Sequence, residues 1–158
     1  MTVQVKYVNG MPLYRQEKDW LQYGFELSRA TMANWVIECT DKYLRVLYEF
    51  YHRLLLSIEF AMADESPIQV LKEEEREATA KSYVIGRKGW LFSDSPEGAE
   101  VSAISYSIAE TALANGLNVY KYITYVLEKR PTEEMADSEL EKLLPWNDKV
   151  FEICKIER

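Results

Sequence analysis

The feature that most constrains this chain is a long amphipathic pattern from residue 29 to about residue 56. Apolar side chains recur there at spacings near 3.6 residues, the period of one face of an α-helix. They are Ala33, Val36, Ile37, Leu44, Leu47, Tyr51 and Leu54. On the polar side, three acids stand four residues before a base, and each such pair stabilises a helix by about 0.2–0.5 kcal/mol. The pairs are Glu38 with Lys42, Asp41 with Arg45, and Glu49 with Arg53. We therefore predict one long helix with a single apolar face.

A shorter helix is predicted before the long one, at residues 12–23, with Pro12 in its first turn. Its apolar side would carry Leu13, Trp20 and Leu21. Gly24 ends this helix because glycine adopts positive φ without strain, and Ser28 is a good N-cap for the long helix. Helix, glycine turn and capped helix form a helix-turn-helix pattern, which occurs in DNA-binding proteins and, more often, in plain helical hairpins.

The pattern changes after the long helix. Ile58, Phe60 and Met62 alternate with other residues, which indicates a strand. Further short strands are predicted at residues 68–71, 82–85 and 90–92, and further helices at residues 95–115, 118–130 and 138–144. The sequence therefore predicts a mostly α-helical protein with a small β patch. Its three regions would be residues 1–57, 58–94 and 95–158.

Charge and composition narrow the classes of function. The formal net charge is -7, and the excess acid lies after residue 60. Because tight nonspecific binding of nucleic acid normally needs a basic patch, any DNA contact is expected in the neutral N-terminal third. No apolar run is long enough to cross a bilayer or to act as a signal peptide, so we predict a cytoplasmic protein without a membrane partner. Cys39 and Cys154 are expected to be free thiols.

Few residues suggest chemistry by themselves. Asp64 and Glu65 form a carboxylate pair at a predicted turn, where they could hold Mg²⁺, although a plain turn is the commoner interpretation. His52 is the single histidine and has no companion at zinc-ligand spacing. Residues 86–89 are basic but lack the glycines and the Ser or Thr of a phosphate loop, so they are interpreted as a hairpin-like turn. The tryptophans are expected in the core rather than as platforms for stacking bases.

Blocks of sequence spread over nearly the whole chain carry a family resemblance. They are residues 12–17, 27–31, 34–36, 63–71, 85–93, 103–108, 110–112, 115–118 and 143–147, together with Gly24. In this order they resemble the transposases of the insertion sequence 66 family. Residues 63–71 resemble the first catalytic strand of that family, and residues 85–93 resemble the segment that follows its catalytic glutamate. The last four blocks resemble its C-terminal helical module.

The resemblance implies a ribonuclease H-like catalytic domain that uses an Asp, Asp, Glu triad and Mg²⁺ for strand transfer in DNA transposition. Asp64 matches the first Asp and would be a Mg²⁺ ligand in intact relatives. The second Asp and the Glu have no counterpart, because residues 81–83 run directly into residues 84–86. Met62 and Ser66 replace the usual His and Thr, and the family's N-terminal region, which often carries a zinc module, is also missing.

We therefore predict an internally deleted and N-terminally shortened transposase that is catalytically inactive and holds no tightly bound metal. It would keep a helix-turn-helix-like N-terminal half, a remnant of a ribonuclease H-like sheet and the C-terminal helical module. Predicted DNA contacts, because they open a helix that would enter a groove, are Ser28, Arg29, Thr31 and Asn34; Arg87 and Lys88 are further candidates. The expected partners are element-end DNA, full-length transposase or a second copy. A regulator of transposition and a non-functional relic remain open alternatives.

Overall fold

The computed structural model describes residues 2–59, 66–70, 81–84, 92–93 and 95–157. The first helices are α1 (Thr2–Tyr7), α2 (Leu13–Gln22), α3 (Arg29–Cys39) and α4 (Arg45–Leu56), with a π-helical turn at Thr40–Leu44 between the last two. The strands are β1 (Ser66–Val70), β2 (Lys81–Val84) and β3 (Phe92–Ser93). The later helices are α5 (Pro96–Ala114), α6 (Val119–Lys129), α7 (Asp137–Leu140), a 3₁₀ turn (Glu141–Leu143) and α8 (Asp148–Cys154). The protein is thus mostly helical, as predicted. Within the described part of the chain, no helix is long and apolar enough to cross a membrane.

The predicted long helix is continuous from residue 29 to residue 56, but it contains the π turn, which the sequence pattern missed. Its buried row is Met32, Val36, Thr40, Leu44, Leu47 and Phe50. The first four of these are spaced four residues apart, more than the 3.6 residues of an α-helical turn. In an ideal α-helix this row would rotate away from the core. The π turn has more residues per turn, so it keeps the row facing the core.

The predicted apolar face of the long helix was therefore only partly right. Val36, Leu44 and Leu47 are fully buried. Ala33, Ile37, Tyr51 and Leu54 are only partly buried. The reason is the shift of the helical period at the π turn, which moves Met32 and Phe50 into the buried row instead.

A single hydrophobic core joins the helices on both sides of the strands. Its members include Val3 and Tyr7 of α1, Val36 and Leu47 of the long helix, Ile104 and Ile108 of α5, Ile123 and Val126 of α6, and Val150 and Cys154 of α8. The short helix α1 was not predicted, although it supplies one edge of this core. The helices before and after the strands therefore pack together as one helical body.

The strands form a small mixed sheet in the order β2-β1-β3. β1 pairs antiparallel with β2, from Ser66 opposite Val84 to Gln69 opposite Lys81, and parallel with β3. The strand predicted at residues 58–62 is wrong at its start: Ile58 and Glu59 form a bend, because Ser57 and Ile58 donate backbone hydrogen bonds back into the last turn of α4. Residues 60–62 lie outside the described residues.

The end of the chain also differs from the prediction. The helix expected at residues 138–144 is split into α7 and the 3₁₀ turn, and α8 follows it. Asn147 caps α8, because its side-chain oxygen accepts a hydrogen bond from the backbone N–H of Lys149 at 3.1 Å. This N-cap was a signal in the sequence that the prediction passed over.

Two of the three predicted ion pairs along the long helix are confirmed: Lys42 contacts Glu38 at 2.5 Å, and Arg45 contacts Asp41 at 2.6 Å. The third is wrong, because the Arg53 guanidinium contacts Asp137 of α7 at 2.7 Å. The Arg45 guanidinium also contacts Glu100 of α5 at 2.6 Å. Hydrogen bonds to the carboxylates of Glu100 and Asp41 raise the pKa of Arg45. Packing of distant helices thus decides which acid each arginine contacts.

Candidate functional site

Two joints between consecutive helices have the same local construction. The first joint, residues 20–31, connects α2 to α3; the second joint, residues 112–121, connects α5 to α6. In each, a glycine with positive φ ends the first helix: Gly24 at 80° and Gly116 at 74°. The helix ending predicted at Gly24 is confirmed. The first joint contains the residues predicted to contact DNA.

The turn of the first joint is a Schellman motif, the common way for a helix to end at glycine. Gly24 N–H donates to the carbonyl of Leu21, and Phe25 N–H donates to the carbonyl of Trp20, both at 3.0 Å. The Phe25 ring meets the Trp20 ring edge-on, with centroids 6.0 Å apart. These contacts fix the direction in which the chain leaves α2.

Ser28 is confirmed as the N-cap of α3. Its Oγ accepts a hydrogen bond from the Thr31 N–H at 3.1 Å, and the two hydroxyl groups lie 3.0 Å apart. The side chains of Ser28 and Thr31 are therefore engaged in capping the helix. Either hydroxyl group could contact DNA only while it also takes part in this cap.

Arg29 contacts one carboxylate of α2 through both its backbone and its side chain. Its backbone N–H donates to Oε1 of Glu17 at 3.0 Å, and its Nε lies 3.1 Å from Oε2 of the same residue. The Arg29 side chain is nevertheless 65% exposed. Because a guanidinium has five N–H donors, this pairing leaves Arg29 with donors beyond the Nε–H that contacts Glu17.

The structure places Ser28, Arg29 and Thr31 together in the first turn of α3, and Asn34 one turn further along, with an exposed side chain. Trp35, next to Asn34, is 49% exposed. The expectation of core tryptophans was therefore wrong for Trp35, and also for the half-exposed Trp146. Trp35 lies on the polar side of the long helix, since the buried row passes through Val36 instead.

Charges on α2 and the first joint balance. Exposed cations on and beside α2 are Arg15, Lys18 and Arg29, and the acids in the same stretch are Glu17, Asp19 and Glu26. Such a surface has no continuous basic stripe of the kind that gives strong nonspecific DNA binding. Any DNA contact here would depend on a few hydrogen bonds rather than on the overall field.

Asp64, Arg87 and Lys88 lie outside the described residues. Among the residues that the structure does describe, no group of three or more His, Cys, Asp or Glu side chains is placed to hold a metal ion. Two-metal phosphoryl transfer needs several carboxylates converging on ions about 4 Å apart. The described residues do not fit such a centre.

The thiols and the histidine suggest no other active site. Cys39 and Cys154 are free, as predicted, and burial raises the pKa of both thiols, which disfavours the reactive thiolate. His52 is exposed on α4. Nothing in the described part of the chain therefore resembles a nucleophile paired with a base.

Directly after the second joint, a hydrogen-bonded tyrosine pair that sequence reasoning missed connects α6 to α4. Tyr122 of α6 donates its O–H to the carbonyl of Leu143 at 2.8 Å, and its oxygen lies 2.5 Å from that of Tyr51 on α4. Burial raises the pKa of both phenols. Aromatic residues at these positions predicted a core, but nothing in the pattern indicated which hydroxyl groups would meet.

An open groove of about 520 Å³ lies beside the first joint. Thr2, Val5 and Asn9, from α1 and the turn after it, line one side. Gln16, Asp19, Trp20 and Tyr23 line the groove from α2 and the turn after α2, and Met11 and Phe25 complete the lining. The spacing of the second set places it on one face of α2. Sequence reasoning missed the groove because it did not predict α1.

Comparison with known families gives two matches. Residues 1–85 are similar to the family model described as "Transposase IS66 family", and residues 107–146 to the one described as "IS66 C-terminal element". Two uncharacterized proteins of Sinorhizobium fredii are also similar. The protein y4jD is 31% identical over 93 residues, which are 59% of this chain and 18% of that protein. The protein y4qI is 32% identical over 88 residues, 56% of this chain and 15% of that protein. The chain thus spans less than a fifth of either relative, and no solved structure matches it.

Proposed function

Because the chain belongs to the IS66 transposase family, we propose that it is an internally deleted transposase that does not catalyse strand transfer. The observation that carries this proposal is the arrangement of the two family matches. The first ends at residue 85 and the C-terminal element begins at residue 107. Asp64 lies inside the first match, so only residues 65–106 could hold the rest of the catalytic domain, and we infer that this stretch is too short for all of its strands and acids.

The chemical argument concerns the number of carboxylates. Asp64 matches the first Asp of the triad, and the second Asp and the Glu have no counterpart in this sequence. In such transposases Mg²⁺, held by all three acids, supplies the charge stabilisation for the reacting phosphate. A single surviving acid would bind the ion weakly and place it poorly. The loss should amount to several kcal/mol of transition-state stabilisation, with about 1.4 kcal/mol for each tenfold change in rate.

We interpret the small sheet as the remnant of a ribonuclease H-like domain. β1 begins two residues after Asp64, where the family's first catalytic strand is expected. A mixed sheet of three short strands is marginal alone and needs a partner layer. β1 and β3 lie against α5, which supports a remnant that survives by packing on the helical body.

The test is a strand cleavage and joining assay with Mg²⁺ or Mn²⁺ on DNA carrying the ends of a matching element. We expect no product above a no-protein control, from the wild-type chain or from Asp64→Ala. A full-length IS66 transposase on the same DNA is the positive control. Robust cleavage that disappears in Asp64→Ala would overturn the proposal.

A second function is favoured by the exposed first turn of α3: the chain binds element-end DNA without cutting it and so limits transposition in the cytoplasm. Arg29 and Asn34 are exposed there, on a helix whose start is fixed by Ser28 and Glu17. A rigid helix end presenting polar side chains is the usual way for a helix-turn-helix to enter a groove.

A gel-shift assay over a range of salt concentrations tests this second function. Arg29→Ala should weaken binding to element ends by about 5- to 10-fold and should lower the salt slope by about one. Arg53→Ala is the matched control, because Arg53 is equally exposed and ion-paired, but to Asp137 on α7. Equal losses in both variants, or no binding at all, would contradict DNA recognition by α3.

If the chain instead limits transposition by pairing with full-length transposase, the two proteins should co-purify without DNA. A relic without function should melt without cooperativity and bind a dye specific for exposed apolar surface. The continuous core that joins both family segments supports a cooperative fold.

A further inference from the structure

We propose that the groove beside the first joint binds an organic cation, the guanidinium or ammonium head of a basic side chain presented by a polypeptide segment. This site is separate from the first turn of α3 and does not depend on the proposed role in transposition. The argument rests on three aromatic rings, one carboxylate and the rigid backbone that holds them.

The aromatic walls come from the end of α2. Trp20 and Phe25 lie with their ring planes at 90°, which forms a corner, and Tyr23 lines the same groove. Tyr23 and Phe25 are 71% and 62% exposed, so their rings are accessible to a ligand in the groove. The faces of aromatic rings carry negative charge, so perpendicular rings attract a cation placed between them, and tryptophan does so most strongly.

The charge of the groove has one source among its lining residues, the carboxylate of Asp19. Among the described residues no cation pairs with it, although Lys18 is its neighbour in sequence. An anion such as a phosphate would be repelled by Asp19. A neutral apolar ligand would desolvate the carboxylate without compensation. A cation satisfies both the carboxylate and the rings.

The groove is already formed, so little ordering is needed on binding. The Schellman motif at Gly24 fixes Phe25 against Trp20. The Gln16 side chain is buried and donates to the carbonyl of Met11 at 2.9 Å, which ties α2 to the turn before it. At about 520 Å³ the groove exceeds the size of a single cationic head. This excess of space favours a head attached to a peptide over a free small cation.

The experiment titrates the full chain while following the indole N–H signal of Trp20 by NMR, assigned with Trp20→Phe. The ligands are a glycine-flanked peptide with a central arginine, the same peptide with citrulline, which is neutral and nearly the same shape, and choline as a free cation. We expect the arginine peptide to bind at least about 10-fold more tightly than the citrulline peptide. Tighter binding of the peptide than of choline would support a polypeptide source, and tighter binding of choline would overturn it.

Variants assign the binding to the groove. Asp19→Asn should weaken the arginine peptide by about 5-fold, and Phe25→Ala by about 2- to 5-fold. Glu133→Gln and Tyr120→Ala, an exposed acid and an exposed aromatic residue remote in sequence from the groove, should leave binding unchanged. Circular dichroism checks that each variant is folded. Equal affinity for the citrulline peptide, equal losses in the control variants, or an unmoved Trp20 signal would overturn the proposal.

Discussion

The two joints are built from the same local parts, but they differ in the burial of the apolar residue that follows the glycine. Each has a helix ending at a glycine with positive φ, an apolar residue after the glycine, and an N-cap for the next helix. After Gly116 the apolar residue is Leu117, which is completely buried. After Gly24 it is Phe25, which is mostly exposed. Local sequence therefore sets the turn, and the surrounding helices decide whether the turn supports the core or a surface.

The two joints also differ in what packs against them. At the second joint, α8 and the 3₁₀ turn lie over α6, and Asn118 N–H donates to the carbonyl of Cys154 at 2.7 Å. At the first joint, the corresponding side is the open groove. We expect substitutions at the second joint to change stability, and substitutions at the first joint to change binding.

The largest expected effect comes from shortening the apolar residue after each glycine. Leu117→Ala should lower the free energy of unfolding by about 2–5 kcal/mol, because it leaves a cavity in the core. Phe25→Ala should lower it by at most about 1 kcal/mol, since it loses one exposed aromatic contact. Urea unfolding measures both values. Equal losses would show that the first joint also supports the core.

The next effect concerns the hydroxyl group of Tyr122. Tyr122→Phe leaves the Leu143 carbonyl and the Tyr51 hydroxyl without their buried partner, and should cost about 1–3 kcal/mol. Tyr120→Phe, on the exposed side of the same helix, should stay within about 0.5 kcal/mol. Thermal unfolding of the two variants makes the comparison, and a neutral Tyr122→Phe would mean that water replaces the lost bond.

The glycines should behave alike despite their different surroundings. Gly24→Ala and Gly116→Ala should each cost about 1–2 kcal/mol, because both require a side chain at positive φ. An added Cβ would meet nothing within 4 Å at Gly24, and at Gly116 only the Phe151 ring at 4.0 Å. A much larger loss at Gly116 than at Gly24 would show that packing, rather than backbone conformation, selects glycine there.

Alkaline pH should lower the free energy of unfolding, because burial raises the pKa values of several tyrosines. Burial raises the pKa of Tyr106 to about 12 and raises the pKa values of Tyr51 and Tyr122 from 10.0 as well. Below pH 10 the folded and unfolded states bind these protons equally, so the stability is fully present. As pH rises above 10 the unfolded state loses protons first, and each tyrosine should remove about 1.4 kcal/mol per pH unit until its folded pKa is reached.

Urea unfolding between about pH 9 and pH 11, with phenolate absorbance as a second readout, tests this expectation. The matched variant is Tyr106→Phe, which should flatten the slope by one tyrosine. A free energy of unfolding that does not change over this range would contradict the burial of the phenols.

Much of the helical scaffold was predictable because its signals are local. Ser28, Ser95 and Asn118 each accept a hydrogen bond from a backbone N–H three residues later, as N-caps do. The π turn was not predictable from apolar period alone, because Thr40 is a polar residue in the buried row. Its hydroxyl lies 3.1 Å from that of Ser105 on α5, so a partner distant in sequence makes its burial acceptable.

The candidate sites also combine features that local sequence indicates with features that depend on helix packing. Arg29 and Asn34 were indicated by their place at the start of a capped helix. The pairing of Arg29 with Glu17 was not indicated by the sequence, because it depends on the angle between α2 and α3. The groove needed α1, a short helix with weak local signals.

By itself the sequence determined most of the helices, their glycine and N-cap boundaries, and membership in a transposase family. These features depend on residues within a few positions of each other or on matching blocks in order. Only the tertiary structure decided that the helices before and after the strands share one core, which tyrosines meet, and that Trp20, Tyr23 and Phe25 line a groove. Such contacts join residues far apart in the chain, and their free energy depends on the packing of whole helices.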